Sequence, residues 1–253
     1  MNPVDRTGRR WSCVSTFLRT FLIQGSWNRR TMLGAGFGFS ILPTLRQVYR
    51  DDAEGFEKAV ERHAEHFNAH PYLANLALGA VCRMERDGKG AEEIRRFKLA
   101  VRGPLGSLGD SLVWAGWRPT VVLAALVMAL AGASPGLTVL FFLLVYNLGH
   151  LLLRIGGFAV GMERGSQVGD TLRKLALPLQ ADRLAGMGVF FLGGVLGLVI
   201  GRGWAFGAHV FPWAALVASG LVLGSRLGQG SWRWILWTVS GLCGAIFLFG
   251  WLG

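Results

Sequence analysis

The chain has few acidic residues, few cysteines and, after residue 118, hardly any charge. Fifteen Asp and Glu stand against 26 Lys and Arg among 253 residues. Only three of those acids, with eight basic residues, fall in 119–253. The apolar second part therefore offers no pair of carboxylates for hydrolysis and no nucleophile beside a base. No catalytic residue and no cofactor are expected. The three cysteines, Cys13, Cys82 and Cys243, form no CxxC, which argues against a disulfide framework or a zinc site. His63, His66 and His70 are too poorly phased on one helix, and lack the acidic or cysteine partners, for metal binding. The basic residues form no dense stripe interleaved with aromatics, so the net charge of +11 does not read as a nucleic-acid footprint.

What the sequence does have is long apolar runs. With 52% hydrophobic residues, it reads as an all-α integral membrane protein in two parts. Residues 1–118 are expected to face the cytoplasm with interfacial, amphipathic and re-entrant helices, and 119–253 to form a transmembrane bundle. Spanning takes ~20 apolar residues, which gives about five spans at 119–133, 136–153, 184–201, 210–225 and 232–252. Trp114, Trp117, Trp204, Trp213, Trp232, Trp234 and Trp251 fall at span ends, as interfacial belts do. The connector 154–183 carries Arg154, Arg164, Arg173, Lys174 and Arg183, whereas the one near Ser134-Pro135 carries no basic residue. The positive-inside rule puts the former, with the amino-terminal half, in the cytoplasm and the carboxy terminus outside.

Within the first part, Trp11, Val14, Phe17, Leu18, Phe21 and Leu22 recur at helical spacing near Arg9, Arg10 and Arg19. That pattern predicts a helix lying in a lipid interface. Two short apolar arms, 31–49 and 71–83, fall short of a span. Asp51-Asp52 are placed to cap an amphipathic helix, which Asn68-Ala69-His70-Pro71 would end. Gly103–Ser111 reads as a glycine-rich loop without the Gly-Lys-Ser/Thr ending of a phosphate loop.

Polar residues embedded in apolar surroundings are the informative ones. Gln24, Ser26 and Asn28 flank a helix break at Gly25, where they either line a path or cap the next helix. Asn68 and His70 form a polar hinge that serves a neutral ligand or a turn. Asp110 at the membrane edge contacts a sugar hydroxyl or pairs with Arg118. Asn147, His150 and Arg154 make a polar row that either lines a pathway or joins helices.

Phe17–Asn28, then Gly34-Ala35-Gly36-Phe37-Gly38-Phe39 and Ile41-Leu42-Pro43, resemble the start of the mannose/fructose/sorbose-type phosphotransferase IID family. His66-Phe67-Asn68-Ala69-His70-Pro71-Tyr72, the Lys98–Pro119 stretch, Tyr146-Asn147 and Gly156-Gly157 follow in that family's order. Asn28-Arg29-Arg30-Thr31-Met32-Leu33 departs from its Asn-x-Glu-Arg-Met-Gln run, lacking the Glu and Gln. The resemblance implies a bacterial inner-membrane permease subunit that forms a sugar path with a IIC membrane subunit. Soluble IIA and IIB proteins would then carry the phosphoryl groups. The residues expected to touch the sugar or its path are Ser26, Asn28, Asn68, His70 and Asp110, with Asn147 and His150 in a path or packing row. The alternative is a regulatory membrane scaffold that docks phosphotransferase proteins without transport.

Overall fold

The structure, a computed structural model, describes residues 3–174 and 176–206. It divides into two compact units, Met1–Phe191 and Leu192–Gly253. Within the second, the described residues are the carboxy-terminal part of one helix.

The described chain is helical. The elements are α1 (Pro3–Arg19), α2 (Gly34–Val48), α3 (Ala53–Ala64), α4 (Ala74–Arg86), α5 (Ala91–Gly109), α6 (Arg118–Leu130), α7 (Pro135–Arg164), α8 (Val168–Lys174) and α9 (Leu177–Phe206). Extended pairing among the described residues is confined to isolated bridges, Asn28 with Met32 and Met32 with Phe67. Three helical runs are long and apolar enough to cross a membrane: Ala91–Leu130, Pro135–Arg173 and Leu177–Val199. They overlap the spans expected at 119–133, 136–153 and 184–201. Those expected at 210–225 and 232–252 lie outside the described residues. The chain is an all-α membrane protein.

The stretch Gly103–Ser111, expected as a loop, is helical. α5 runs through Pro104 to Gly109 and passes without a break into a π-helical segment, Asp110–Trp117, and then α6. Pro104 lacks the N–H of one helical bond, and the widened turn that follows is the kind often found at functional sites. The amphipathic helix begins where its cap predicts, with the Asp52 carboxylate accepting from Gly55 N at 2.8 Å. It ends at Ala64, before the Asn68–Pro71 hinge.

α1 is built inside out. Ser12, Thr16 and Thr20 are buried, and their hydroxyls bond inward. Ser12 donates to Gln47 at 2.6 Å, Thr16 shares a 3.0 Å hydrogen bond with Thr44, and the Asn75 amide donates to Thr20 Oγ1 at 3.1 Å. Trp11, Val14, Leu18 and Leu22 point outward and are exposed. Polar contacts between helices with apolar residues outside are the arrangement of a protein solvated by lipid.

α4 and α7 approach each other closely. A Cβ at Gly79 would overlap the backbone of Phe158, and one at Gly161 would overlap the backbone of Leu76 and Ala80. Reciprocal glycines thus let the two backbones touch, which fixes α7 against the hinge that precedes α4. Behind this contact, the core of Phe37, Ile41, Phe67, Leu78 and Leu105 joins α2, α4 and α5.

Candidate functional site

The sequence-predicted polar residues fall on neighbouring segments. After Gly25 the chain turns at Asn28, whose Oδ1 accepts from Arg30 N (3.0 Å) and Thr31 N (2.9 Å) while Nδ2 reaches Ser26 O and Thr31 Oγ1. The turn is closed by Met32, held at φ 53°, a left-handed conformation uncommon outside glycine. Two backbone bonds, Leu33 N to Phe67 O (2.9 Å) and Phe67 N to Thr31 O (3.1 Å), place this turn beside the hinge. Ser26, Asn28 and Asn68 are exposed. The side chain of Asn28 is used within its own turn, while α2 starts after Leu33 without a side-chain cap, so neither Ser26 nor Asn28 caps the next helix.

His70 is the buried member of the hinge, 2% exposed. Gly109 packs directly against its ring, leaving no room for a Cβ, so the end of α5 seats the imidazole next to Asp110. Its Nδ1 accepts from Tyr72 N at 3.2 Å, which leaves the proton on Nε2. That buried nitrogen has no hydrogen-bond partner among the described residues. Burial first, then the positive charge of Arg154, lowers the His70 pKa to about 4, so the ring is neutral at physiological pH. Tyr72 meets it edge-on at 5.0 Å and Trp114 lies 5.1 Å away.

Asp110 opens the π-helical segment and is exposed. Of its two alternatives, the pairing with Arg118 is not formed. The Arg118 guanidinium lies over the Trp114 ring at 4.8 Å instead.

On α7 the polar row is Tyr146, His150 and Arg154, four residues apart and therefore on one face. Asn147 is exposed and donates back to Leu143 O at 2.7 Å, so the row does not run through it. Tyr146 and Tyr72 share a 3.0 Å hydroxyl contact, and His150 stacks on Tyr72 at 4.1 Å. Arg154, 3% exposed, donates from Nε to His150 Nε2 (2.6 Å) and from Nη1 to Thr20 O (2.8 Å). Its guanidinium faces the rings of Phe21 and Tyr72 at 5.1 and 5.2 Å. No carboxylate pairs with it among the described residues. Trp114, Tyr72, Tyr146, Thr20 and Asn75 are the members that a residue-by-residue reading misses. The four-residue spacing of Tyr146, His150 and Arg154 was the available signal.

A second polar cluster lies in the core. Glu85 accepts from Arg62 (2.6 Å), His63 (2.7 Å) and Tyr49 (2.7 Å). Burial opposes its ionisation, yet these bonds hold its pKa down at about 2. Burial also lowers that of His63 to about 4. His66 faces Arg102, so the three clustered histidines of the sequence point to three different partners.

The comparisons with known proteins agree with this architecture. The family described as PTS system mannose/fructose/sorbose family IID component matches residues 10–204. The PTS system mannose-specific EIID component of Escherichia coli (strain K12) is 34% identical over 185 residues, 71% of this chain and 65% of that protein. The chain thus covers just under two thirds of that relative's length. The Fructose permease IID component of Bacillus subtilis (strain 168) is 27% identical over 187 residues, covering 72% of this chain and 67% of that one. A chain of the mannose transporter ManYZ, solved by cryoEM in complex with microcin E492, superposes with a TM-score of 0.58 at 28% identity. It covers 78% of this chain and 70% of its own. A structure described only as a membrane protein shares the fold at a TM-score of 0.70 and 24% identity, covering 94% and 96% of the two chains. The chain belongs to the IID component family of the mannose/fructose/sorbose phosphotransferase systems.

Proposed function

We propose that this chain is the IID subunit of a sugar permease, forming a translocation path with a IIC membrane subunit in the bacterial inner membrane. The sugar is of the mannose, fructose or sorbose type, and soluble IIA and IIB proteins supply its phosphoryl group. The chain itself contributes hydrogen bonding and gating, and no covalent chemistry. Its amino-terminal half faces the cytoplasm and its carboxy terminus lies outside.

The observation that carries the reading is the neutral, aromatic-walled group at the hinge. His70 presents a buried donor without a partner among the described residues, beside Tyr72 and Trp114, and Asn68 and Asp110 stand exposed on the adjoining segments. Ligand sites combine aromatic walls with a few convergent polar groups, and a sugar needs donors and acceptors of that kind. Of the proposed path residues, Asn68 and Asp110 stand on the segments next to His70. Ser26 and Asn28 shape the neighbouring turn, and Asn147 and His150 belong to α7 beside it.

The test is uptake of radiolabelled mannose, fructose, glucosamine and sorbose by cells lacking the gene, complemented with wild type, Asn68→Ala or Trp114→Ala. Wild type restores accumulation of one phosphorylated sugar. Each variant, present in the membrane at wild-type level, lowers that uptake about tenfold, the scale of one lost aromatic contact or hydrogen bond. No change in any sugar on deletion would overturn transport and leave docking of phosphotransferase proteins as the function.

A further inference from the structure

Between Asp5 and Asp51 the chain carries eight arginines, no lysine and no acidic residue. This stretch holds the part of α1 after Asp5, the turn after it and α2, so the positive charge is concentrated on the inside-out helix and its surroundings. The outward stripe of α1 and the short turn that follows it comprises Trp11 (70% exposed), Val14, Leu18 (58%) and Leu22. At 100° per residue, Arg10 and Arg19 project about 90° to either side of that stripe. Arg19 stays beside the apolar surface, over the Phe39 ring at 4.8 Å and bonded to Phe39 O at 3.3 Å. Arg29 and Arg30 are exposed in the turn that follows, next to exposed Trp27. None of Arg10, Arg19, Arg29 and Arg30 forms an ion pair among the described residues.

We infer that α1 and the turn after it form an arm that binds anionic phospholipid headgroups. Three features select this occupant. The buried side of α1 is already committed to the protein through hydroxyl hydrogen bonds, so the apolar stripe is the free side. Guanidinium groups flanking an apolar stripe match an interface in which side-chain stems lie on acyl chains and heads reach phosphates. With no carboxylate between Asp5 and Asp51, lipid phosphate is the complementary charge for Arg10, Arg19, Arg29 and Arg30, and arginine pairs with phosphate in bidentate fashion. A zwitterionic surface would satisfy the stripe but leave the net positive charge uncompensated. The inference rests on membrane residence alone and stands or falls separately from sugar transport.

The experiment uses the full chain with Cys13, Cys82 and Cys243 replaced by Ser and an environment-sensitive fluorophore on Val14→Cys. The protein is reconstituted into vesicles of phosphatidylcholine alone, or with 30% phosphatidylglycerol (about one lipid in three, so that the surface is strongly negative). Anionic lipid is expected to blue-shift the emission and shield the probe from iodide, and raised salt to reverse the shift. The R10Q, R19Q, R29Q and R30Q changes together should remove the dependence on lipid charge. Each single change should weaken partition onto anionic lipid about fivefold. Circular dichroism and gel filtration of the quadruple variant establish that it is folded, and Trp11→Ala should weaken shielding in both lipids. Equal shielding in both vesicle types would overturn the proposal, as would a lipid-charge response unchanged in the folded quadruple variant. Shielding that arises only on adding a membrane partner subunit would also overturn it, and would assign the stripe to that subunit.

Discussion

At the scale of single residues, burial decides which polar groups are free to act. Glu85 is fully engaged by Arg62, His63 and Tyr49, which makes it a structural anchor between α3, α4 and the end of α2. Removing its charge leaves the Arg62 guanidinium buried without a counter-charge, so Glu85→Gln should destabilise the chain by about 3–5 kcal/mol. A lowered melting temperature in detergent at neutral pH would show it. The pH response follows from the same groups. His63 has a folded-state pKa of about 4, below its unfolded value, so the unfolded chain binds the extra proton first. Its contribution is complete above about pH 6.5 and is lost as pH falls through 4, on the order of 3 kcal/mol. Glu85, held at about 2, contributes fully above its unfolded value and loses that contribution as pH falls through 2. Melting temperature should therefore decline from pH 6.5 to 4 and fall further below. A flat profile between 6.5 and 4 would mean that His63 is solvated. None of this network was visible in the sequence, because Glu85 and His63 are 22 residues apart and helical spacing within either segment does not pair them. Asn68 and His70, by contrast, stood out because they interrupt apolar segments.

At the scale of elements, the same local signals succeeded and failed for physical reasons. The Asp52 cap is a short-range device, and it starts α3 where it was expected. Glycine and proline in Gly103–Ser111 signalled a loop, yet tertiary contact overrides weak propensity. Leu105 and Gly109 are buried against the core and His70, and the helix continues through them. Periodicity located α1 and could not say which face is buried, because Ser12, Thr16 and Thr20 recur as regularly as Trp11, Val14 and Leu18. The α4–α7 contact depends on glycines in a way that can be tested. At Gly161 a side chain meets backbone atoms that have no rotamer to move to. Gly161→Val should therefore cost about 3 kcal/mol or more and sharply reduce folded protein recovered from membranes. Gly156, five residues earlier on the same helix with nothing within 4 Å, is the control. Gly156→Ala should be neutral or gain up to about 1 kcal/mol of helix propensity. Equal losses from both changes would show that α7 itself, and not its approach to α4, is what the glycines serve.

For the whole molecule, the decisive property is which side of the membrane each end of α7 occupies. Its 30 residues span about 45 Å, longer than the ~30 Å hydrocarbon core, so one end must emerge. Arg154 lies 19 residues after Pro135, about 29 Å along the axis, which places its buried guanidinium where the second headgroup layer begins. From there on the chain carries Arg154, Arg164, Arg173 and Lys174, whereas the Ala131–Ser134 turn at the other end carries no charge. Retaining the charged end in the cytoplasm follows the bias that orients membrane helices. That orientation would also set the arginine-rich α1 arm, tied to the same end by the bond from Arg154 to Thr20, on the leaflet where anionic lipid is concentrated. In a chain freed of its native cysteines, an impermeant maleimide added to intact cells should label Ala133→Cys and leave Ser166→Cys unmodified. Opening the cells should expose Ser166→Cys, which stands on an exposed turn just past α7. Labelling of Ser166→Cys from outside would invert the topology and carry the hinge with His70, Asn68 and Asp110 to the outer face. The path could then no longer deliver sugar to a phosphoryl donor through this end of the molecule, and the reading of α1 as a cytoplasmic-leaflet arm would fail with it.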